Sequence, residues 1–376
     1  MTNFEEIRFF RDHEVQPALH KYANHPMVKA LLQFTFSEKS FEEIEQITAS
    51  CHSIHDFQTK VIYFSVKKVL EKCSEGLTYS GFDKLKKDES YLFISNHRDI
   101  IMDTGLINYA LCEQGLIMTA SAIGDNLVKK PFLMLLSKLI RNFLVQRGLG
   151  PREMLKSSQN LSEYIRHLLL KENRSVWLAQ REGRTKDGND VTQQGVLKML
   201  AMAKGELSIS EYFSKIKIVP IAISYEFDPT DALKMPEIMA KRMDEEYTKT
   251  AHEDFNSILK GALGNKGRIH LTAGKVLNED WYNSLLKAES SVNNQLKAIA
   301  SGIDQKIYKN YKLWPSNYIA CDLLNNNAAH KTHYTEKGKR QFERRLIRRI
   351  DIKNSMEVNS YLLMYANPVI NKEGLK

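Results

Sequence analysis

Only four cysteines are spread over 376 residues, at Cys51, Cys73, Cys112 and Cys321, with no CxxC pair and no Cys/His spacing suited to zinc. A disulfide scaffold and a zinc module are thereby excluded, and a reduced cytosolic compartment is the expectation. Glycine (18) and proline (9) are too few for a collagen-like or low-complexity chain. No internal repeat and no Ser/Gly-rich or Pro-rich linker is found. Long apolar runs are missing too. The most apolar stretch, Pro131 to Val145, is interrupted by Lys138, Arg141 and Asn142 and falls short of the ~20 residues that cross a bilayer. The N-terminal MTNFEEIRFFRDHEVQ is acidic and lacks the basic start and apolar run of a signal peptide, so no export is expected.

What is present is an ordinary folding composition, 43% hydrophobic and 26% charged, with a net charge of +9. Such a surplus attracts polyanions: nucleic acid, anionic lipid or phosphorylated small molecules. It is densest in KTHYTEKGKRQFERRLIRRIDIK, where Arg340, Arg344, Arg345, Arg348 and Arg349 recur at helical spacing. A solvated helix face and a contact with anionic lipid both fit that run. Base-stacking aromatics are not interleaved there, so no nucleic-acid partner is expected. As a helix, residues 131–145 place Phe132, Leu135, Leu136, Leu139 and Phe143 on one side, for packing on a sheet or for lying in a membrane interface. His52 and His55 read as packing or surface residues, and no metal site is expected.

The first ~80 residues show apolar spacing of three and four, which predicts helices over Phe41–Ser50 and His55–Cys73. From Tyr91 short β-rich runs alternate with helical stretches: YLFIS, GLIMTASAI, FLVQ, SVWLAQ, KIVPIAISYEF and RIHLTAG, with one long helical region expected over Met235–Leu259. After Val276 the pattern is helical again. The prediction is an α/β fold, a mixed, largely parallel sheet flanked by helices, with helical N-terminal and C-terminal extensions. The expected divisions are 1–80, 81–280 and 281–376.

Chemistry concentrates where predicted strands end. YLFISNHRDIIMD, residues 91–103, runs from a buried-type strand into His97, and ligands bind at the carboxyl ends of strands in such sheets. His97 there can act as a general base, with Asp103 orienting the ring and Asp99 as a competitor for that role. SVWLAQREGRTKDGND, residues 175–190, runs into Arg181, Glu182, Gly183, Arg184, Thr185 and Lys186. Glycine permits close backbone approach to a ligand there, and the adjacent cations can hold a phosphate. A third strand end, FLVQRG, carries Arg147.

Taken together these stretches resemble the four sequence blocks of the glycerolipid acyltransferase superfamily. Asn96-His97 and Asp103 match the first block, Arg147 the second, Glu182-Gly183-Arg184-Thr185 the third and Val219-Pro220-Ile221 the fourth. Five residues rather than four separate His97 from Asp103, and Arg181 stands where many members have proline. The resemblance implies transfer of a fatty acyl group from a thioester, acyl-coenzyme A or acyl carrier protein, to a hydroxyl of glycerol 3-phosphate or 1-acylglycerol 3-phosphate. No cofactor is implied. It casts His97 as base and Asp103 as its orienter. Arg147, Arg184 and Lys186 would hold the acceptor's phosphate, Glu182 and Gly183 would shape the pocket, and Pro220 would fix a strand end or acyl groove. A peripheral position on the cytoplasmic face of the membrane is expected. An aminoacyl-lipid acceptor, and a nonenzymatic module that binds anionic lipid or RNA, are the alternatives.

Overall fold

The computed structural model describes residues 4–250, 252–289 and 291–375. Seven strands form one sheet in the order β1 (Leu77–Ser80), β7 (Ile269–Ala273), β6 (Ile218–Tyr225), β2 (Leu92–Ser95), β5 (Val176–Ala179), β3 (Ala120–Gly124) and β4 (Asn142–Val145). Every pairing is parallel except β6 with β7. The central strands read as continuous apolar runs because helices cover both faces: all four residues of β2 and all eight of β6 are buried. The α/β expectation is thus met. Strand β1 falls in the stretch read as helical. Its four residues alternate in burial at a sheet edge and carry too little apolar signal to stand out.

Before the sheet come α1 (Asp12–Tyr22), α2 (Pro26–Thr35), α3 (Phe41–Ala49), the single turn α4 (Ile54–Phe57) and α5 (Tyr63–Cys73). Between the strands run α6 (Met102–Glu113), α7 (Pro131–Leu139), α8 (Pro151–Leu170), α9 (Gln194–Ala201) and α10 (Ile209–Lys215). The single helix expected over 235–259 is two, α11 (Asp231–Arg242) and α12 (Glu253–Leu263), because DEEYTKT at 244–250 has no apolar face to bury. Beyond β7 follow α13 (Glu279–Leu286), α14 (Val292–Asn310), α15 (Pro315–Leu324), α16 (Glu336–Arg349) and α17 (Ser355–Glu373). Ser290, within the helical stretch expected after Val276, lies outside the described residues, as do the first three residues of the acidic N-terminal segment.

Two sequence readings resolve in the packing. The apolar side of α7 is covered by protein: Leu135 and Leu139 join Val15, Ile54 and Phe57 in one cluster, and His25 stacks on Phe132 at 4.9 Å. The arginine run on α16 is divided between two directions. Arg345 donates to Asp231 Oδ2 (2.9 Å) and to the Asp228 carbonyl (2.8 Å), and Arg349 lies 3.6 Å from Asp231 Oδ1. Arg340, Arg344 and Arg348 remain exposed. His52 and His55 are exposed as well. No helix among the described residues is long and apolar enough to cross a membrane.

Helix α14 anchors the strand-end loops through Asp304, whose Oδ1 accepts from Thr192 N (2.8 Å) and Thr192 Oγ1 (2.5 Å). Burial pushes the Asp304 carboxyl up to about 7 from the ordinary 3.8. A raised carboxyl favours folding in its neutral form, so its stabilising contribution is complete below the ordinary value and is lost as pH rises towards 7. Asp304→Asn keeps an acceptor oxygen without the charge. It is expected to change stability little near pH 4 and to raise it at pH 8 by at most about 4 kcal/mol, measured by urea unfolding at both pH values.

Candidate functional site

The site begins with a side chain that imitates backbone. Asn96, directly after β2, is fully buried; its Nδ2 donates to the Ile223 carbonyl (2.9 Å) and its Oδ1 accepts from Ile223 N (2.8 Å). The ladder to β6 is thereby extended one residue past the strand, and the chain is held straight into His97.

His97 Nδ1 lies 2.8 Å from Asp103 Oδ2. Asp103 is in the first turn of α6 and fully buried. The same oxygen accepts from the amides of Arg98 (2.6 Å) and Asp99 (3.1 Å), and Oδ1 accepts from the Tyr225 hydroxyl (2.9 Å). An acceptor-only carboxylate on Nδ1 requires the proton there, which leaves Nε2 as the free ring nitrogen. Trp177 meets the ring edge-on at 5.4 Å. The Tyr225 hydroxyl is pushed far above its usual range by burial and by Asp103, so it stays a donor.

Asp99, the competitor for the histidine, does something else. Its Oδ1 accepts from the amides of Ile101 (3.0 Å) and Met102 (2.8 Å), capping the entry to α6. The extra residue between His97 and Asp103 is taken up in this capped turn, so the carboxylate still reaches the ring. Burial, and then Asp103, push the Asp99 carboxyl upward.

The loop after β5 is fastened to the turn after β2. Thr185 N donates to the His97 carbonyl (2.7 Å), and Arg98 pairs with Asp190 (2.6 Å), both buried. Lys234 of α11 is buried between the two loops and donates to the carbonyls of Arg98 (3.1 Å) and Thr185 (3.2 Å) and to Asp228 Oδ2. Gly183 turns the loop at φ +69°, in left-handed space that favours glycine. At Gly188 a Cβ would lie 2.1 Å from the Met364 carbonyl of α17, so only glycine lets the loop pass that close.

His97, Arg147, Glu182, Gly183, Arg184 and Lys186 all line one cavity of ≈1130 Å³, so five residues far apart in sequence share a wall with the histidine. Asp103 stands behind His97. Pro220 does not reach the cavity: it is buried inside β6, opposite Ile94 of β2, and its carbonyl accepts from Gly274 N (2.8 Å). The substrate-binding expectation for it is corrected to a place within the sheet. Arg147 pairs with Glu182 (2.5 Å), Arg184 Nη1 lies 3.4 Å from Thr230 Oγ1, and Lys186 pairs with Glu237. Burial and the nearby cations Lys249 and Arg184 push the Lys186 ammonium down to about 8. Arg181 of the basic turn lines the cavity too, and sequence reasoning missed three more lining cations, Lys241, Arg242 and Lys249, which come from α11 and the segment after it. The apolar part of the wall includes Leu127, Leu161, Leu178, Val196 and Met199. No group of three metal-ligating side chains occurs among the described residues. The arrangement can take a proton at His97 Nε2 and hold an anion beside an apolar tail.

Residues 76–224 match the family described as Acyltransferase. No curated protein matches the chain. Among solved structures the chain is similar to the 1-acyl-sn-glycerophosphate (LPA) acyltransferase, PlsC, from Thermotoga maritima, at 14% identity and a TM-score of 0.36, covering 78% of this chain and 94% of that one.

Breaking one member of the buried pair under the loops leaves the other charge unpaired. Lys234→Met is expected to lower stability by roughly 3–5 kcal/mol, and adding Asp228→Asn to recover most of the loss, as read from denaturant midpoints.

Proposed function

We propose that the chain, whose residues 76–224 match the Acyltransferase family, is an enzyme of the glycerolipid acyltransferase superfamily and transfers a fatty acyl group from an acyl thioester to a hydroxyl of glycerol 3-phosphate or 1-acylglycerol 3-phosphate. The observation that carries this reading is the Asp103–His97 pair on the wall of a cavity that is both cationic and apolar. A phosphorylated acceptor and a fatty chain need those two linings together.

In the proposed reaction His97 Nε2 removes the proton of the acceptor hydroxyl as its oxygen attacks the thioester carbonyl. Asp103 holds the imidazole and stabilises the imidazolium that forms. Collapse of the tetrahedral intermediate breaks the C–S bond, the thiolate leaves with the proton held at Nε2, and an ester remains. Arg147, Arg184 and Lys186 fix the acceptor's phosphate so that its hydroxyl sits at the base. The amides of Arg98, Asp99, Ile101 and Met102, at the entry to α6, are already taken by Asp103 and Asp99. Stabilisation of the oxyanion therefore falls to other donors of the cavity. The acyl donor is coenzyme A or acyl carrier protein. We place the enzyme at the cytosolic membrane surface, a reading supported by the net charge of +9 and the exposed Arg340, Arg344 and Arg348.

Thiol release from an acyl thioester, measured with glycerol 3-phosphate, its 1-acyl derivative and an N-acyl amino acid lipid in parallel, tests the acceptor. Turnover is expected with one of the two glycerol phosphates, and turnover with the amino acid lipid alone would overturn the assignment. His97→Ala should cost roughly a thousandfold in kcat with an unchanged melting temperature. Asp103→Asn and Asp99→Asn separate the two carboxylates. The first is expected to reduce kcat by on the order of a hundredfold or more, and the second to leave it within a few-fold, since Asn still caps the turn.

A further inference from the structure

A second cavity, of ≈400 Å³, opens where β4 and β5 begin. These strands run parallel to β2, so the hollow lies at the end of the sheet opposite His97. Arg141, the residue before β4, and Arg174, two residues before β5, both line it.

Arg141 is 6% exposed. Among the described residues no carboxylate lies within ion-pair distance of either guanidinium; Arg141 Nη1 donates to the neutral Gln58 Oε1. The acids on the same wall are committed elsewhere. Asp12 Oδ1 accepts from Ile54 N (3.0 Å), Glu172 Oε1 sits 3.1 Å from His167 Nε2, and Glu5 is held by Arg8 and Arg11. Burial and then the Arg174 charge pull the Arg141 guanidinium down to about 9. Two like charges thus face one hollow with no carboxylate in contact, Asp12 and Glu172 acting on them only from beyond ion-pair distance, an arrangement that costs stability until an anion enters. Phe4, Phe9, Phe10 and Tyr164 add ring surfaces to the wall, which Arg8 and Arg11 also line while paired with Glu5 and Glu14.

We propose that this cavity binds a small phosphorylated ligand, whose phosphate bridges Arg141 and Arg174 while its apolar part lies against Phe9 and Tyr164. A dianionic phosphate suits a pair of guanidiniums in charge and in its several acceptor oxygens. Strands β4 and β5 lead from these arginines to Arg147 and Arg184 in the larger cavity, yet each is only four residues long, about 13 Å. The two anion sites therefore stand at opposite ends of the same strands.

The test uses full-length protein and pyrophosphate, with the first cavity weakened by Arg147→Gln and Arg184→Gln. In that background saturating pyrophosphate is expected to raise the melting temperature by about 2–4 °C, and adding Arg174→Gln is expected to remove most of the rise. No rise in the double variant, or an undiminished rise in the triple, overturns the proposal. An experiment on the unmutated protein needs no variant to fold: phenylglyoxal modification of Arg174, read by mass spectrometry, should slow at least fivefold with pyrophosphate. Slowing by pyrophosphate alone assigns a soluble phosphate, and slowing also by phosphatidylglycerol vesicles assigns a lipid headgroup. Slowing by neither overturns the site.

Discussion

Two cationic loops that leave neighbouring strands of a parallel sheet drift apart unless something buried ties their backbones together, and in this molecule the tie is the ammonium of Lys234. It reaches the carbonyl of Arg98 behind the histidine and the carbonyl of Thr185 behind the arginine, and Asp228 balances its charge. The pair formed by Arg98 and Asp190 runs alongside, as does the amide of Thr185 on the carbonyl of His97. Buried ion pairs contribute little net stability compared with apolar packing, but they define geometry. Here the geometry defined is the distance between a base and an anion-binding turn. The same α11 carries Asp231, to which α16 and α17 attach through Arg345, Tyr361 and Tyr365. The C-terminal helices therefore brace the site without lining most of it.

Asp103 shows how a helix end and a catalytic pair can be one device. Its carboxylate sits in the first turn of α6, where backbone N–H groups point outward and negative charge is favoured. The amides of Arg98 and Asp99, in the turn before the helix, and the Tyr225 hydroxyl hold it in place against the imidazole. Asp99, four residues earlier, consumes the next two amides. The two acids divide the helix entry between them, and Gly261 of α12 leaves the room Asp99 needs: a Cβ there would lie 2.0 Å from Asp99 Oδ2.

Charge of one sign is used in three different ways in this chain. Arginines on α16 alternate between an internal carboxylate and solvent, because a helix with basic residues three, four and five apart presents them on more than one face. Cations around the larger cavity are partly neutralised by Glu182, Glu237 and Asp254, which keeps them in place without filling the space between them. Arg141 and Arg174 have no carboxylate in contact among the described residues, and Asp12 and Glu172 act on them only at longer range. Net charge alone distinguishes none of these.

Six of the seven strands, the α/β class and the positions of His97, Arg147 and Arg184 at strand ends were legible in the sequence, because buried strands write continuous apolar runs and polar residues interrupt them sharply. Strand β1 was not, being short and half exposed at an edge. The break between α11 and α12 was missed because helical spacing persists on both sides of it. Lys241, Arg242 and Lys249 look like the surface of a charged helix end, and nothing local says that the helix lies over a cavity. The chain's own order of residues determined which side chains would stand at the ends of strands, since that follows from local periodicity and from where polar residues begin. Only the tertiary structure decided which carboxylate meets the imidazole, that Pro220 stays inside the sheet, and that two arginines 33 positions apart share a hollow with no carboxylate in contact with either among the described residues. Those outcomes depend on distances across the fold, set by how strands pair and loops are tied, and no local pattern encodes them.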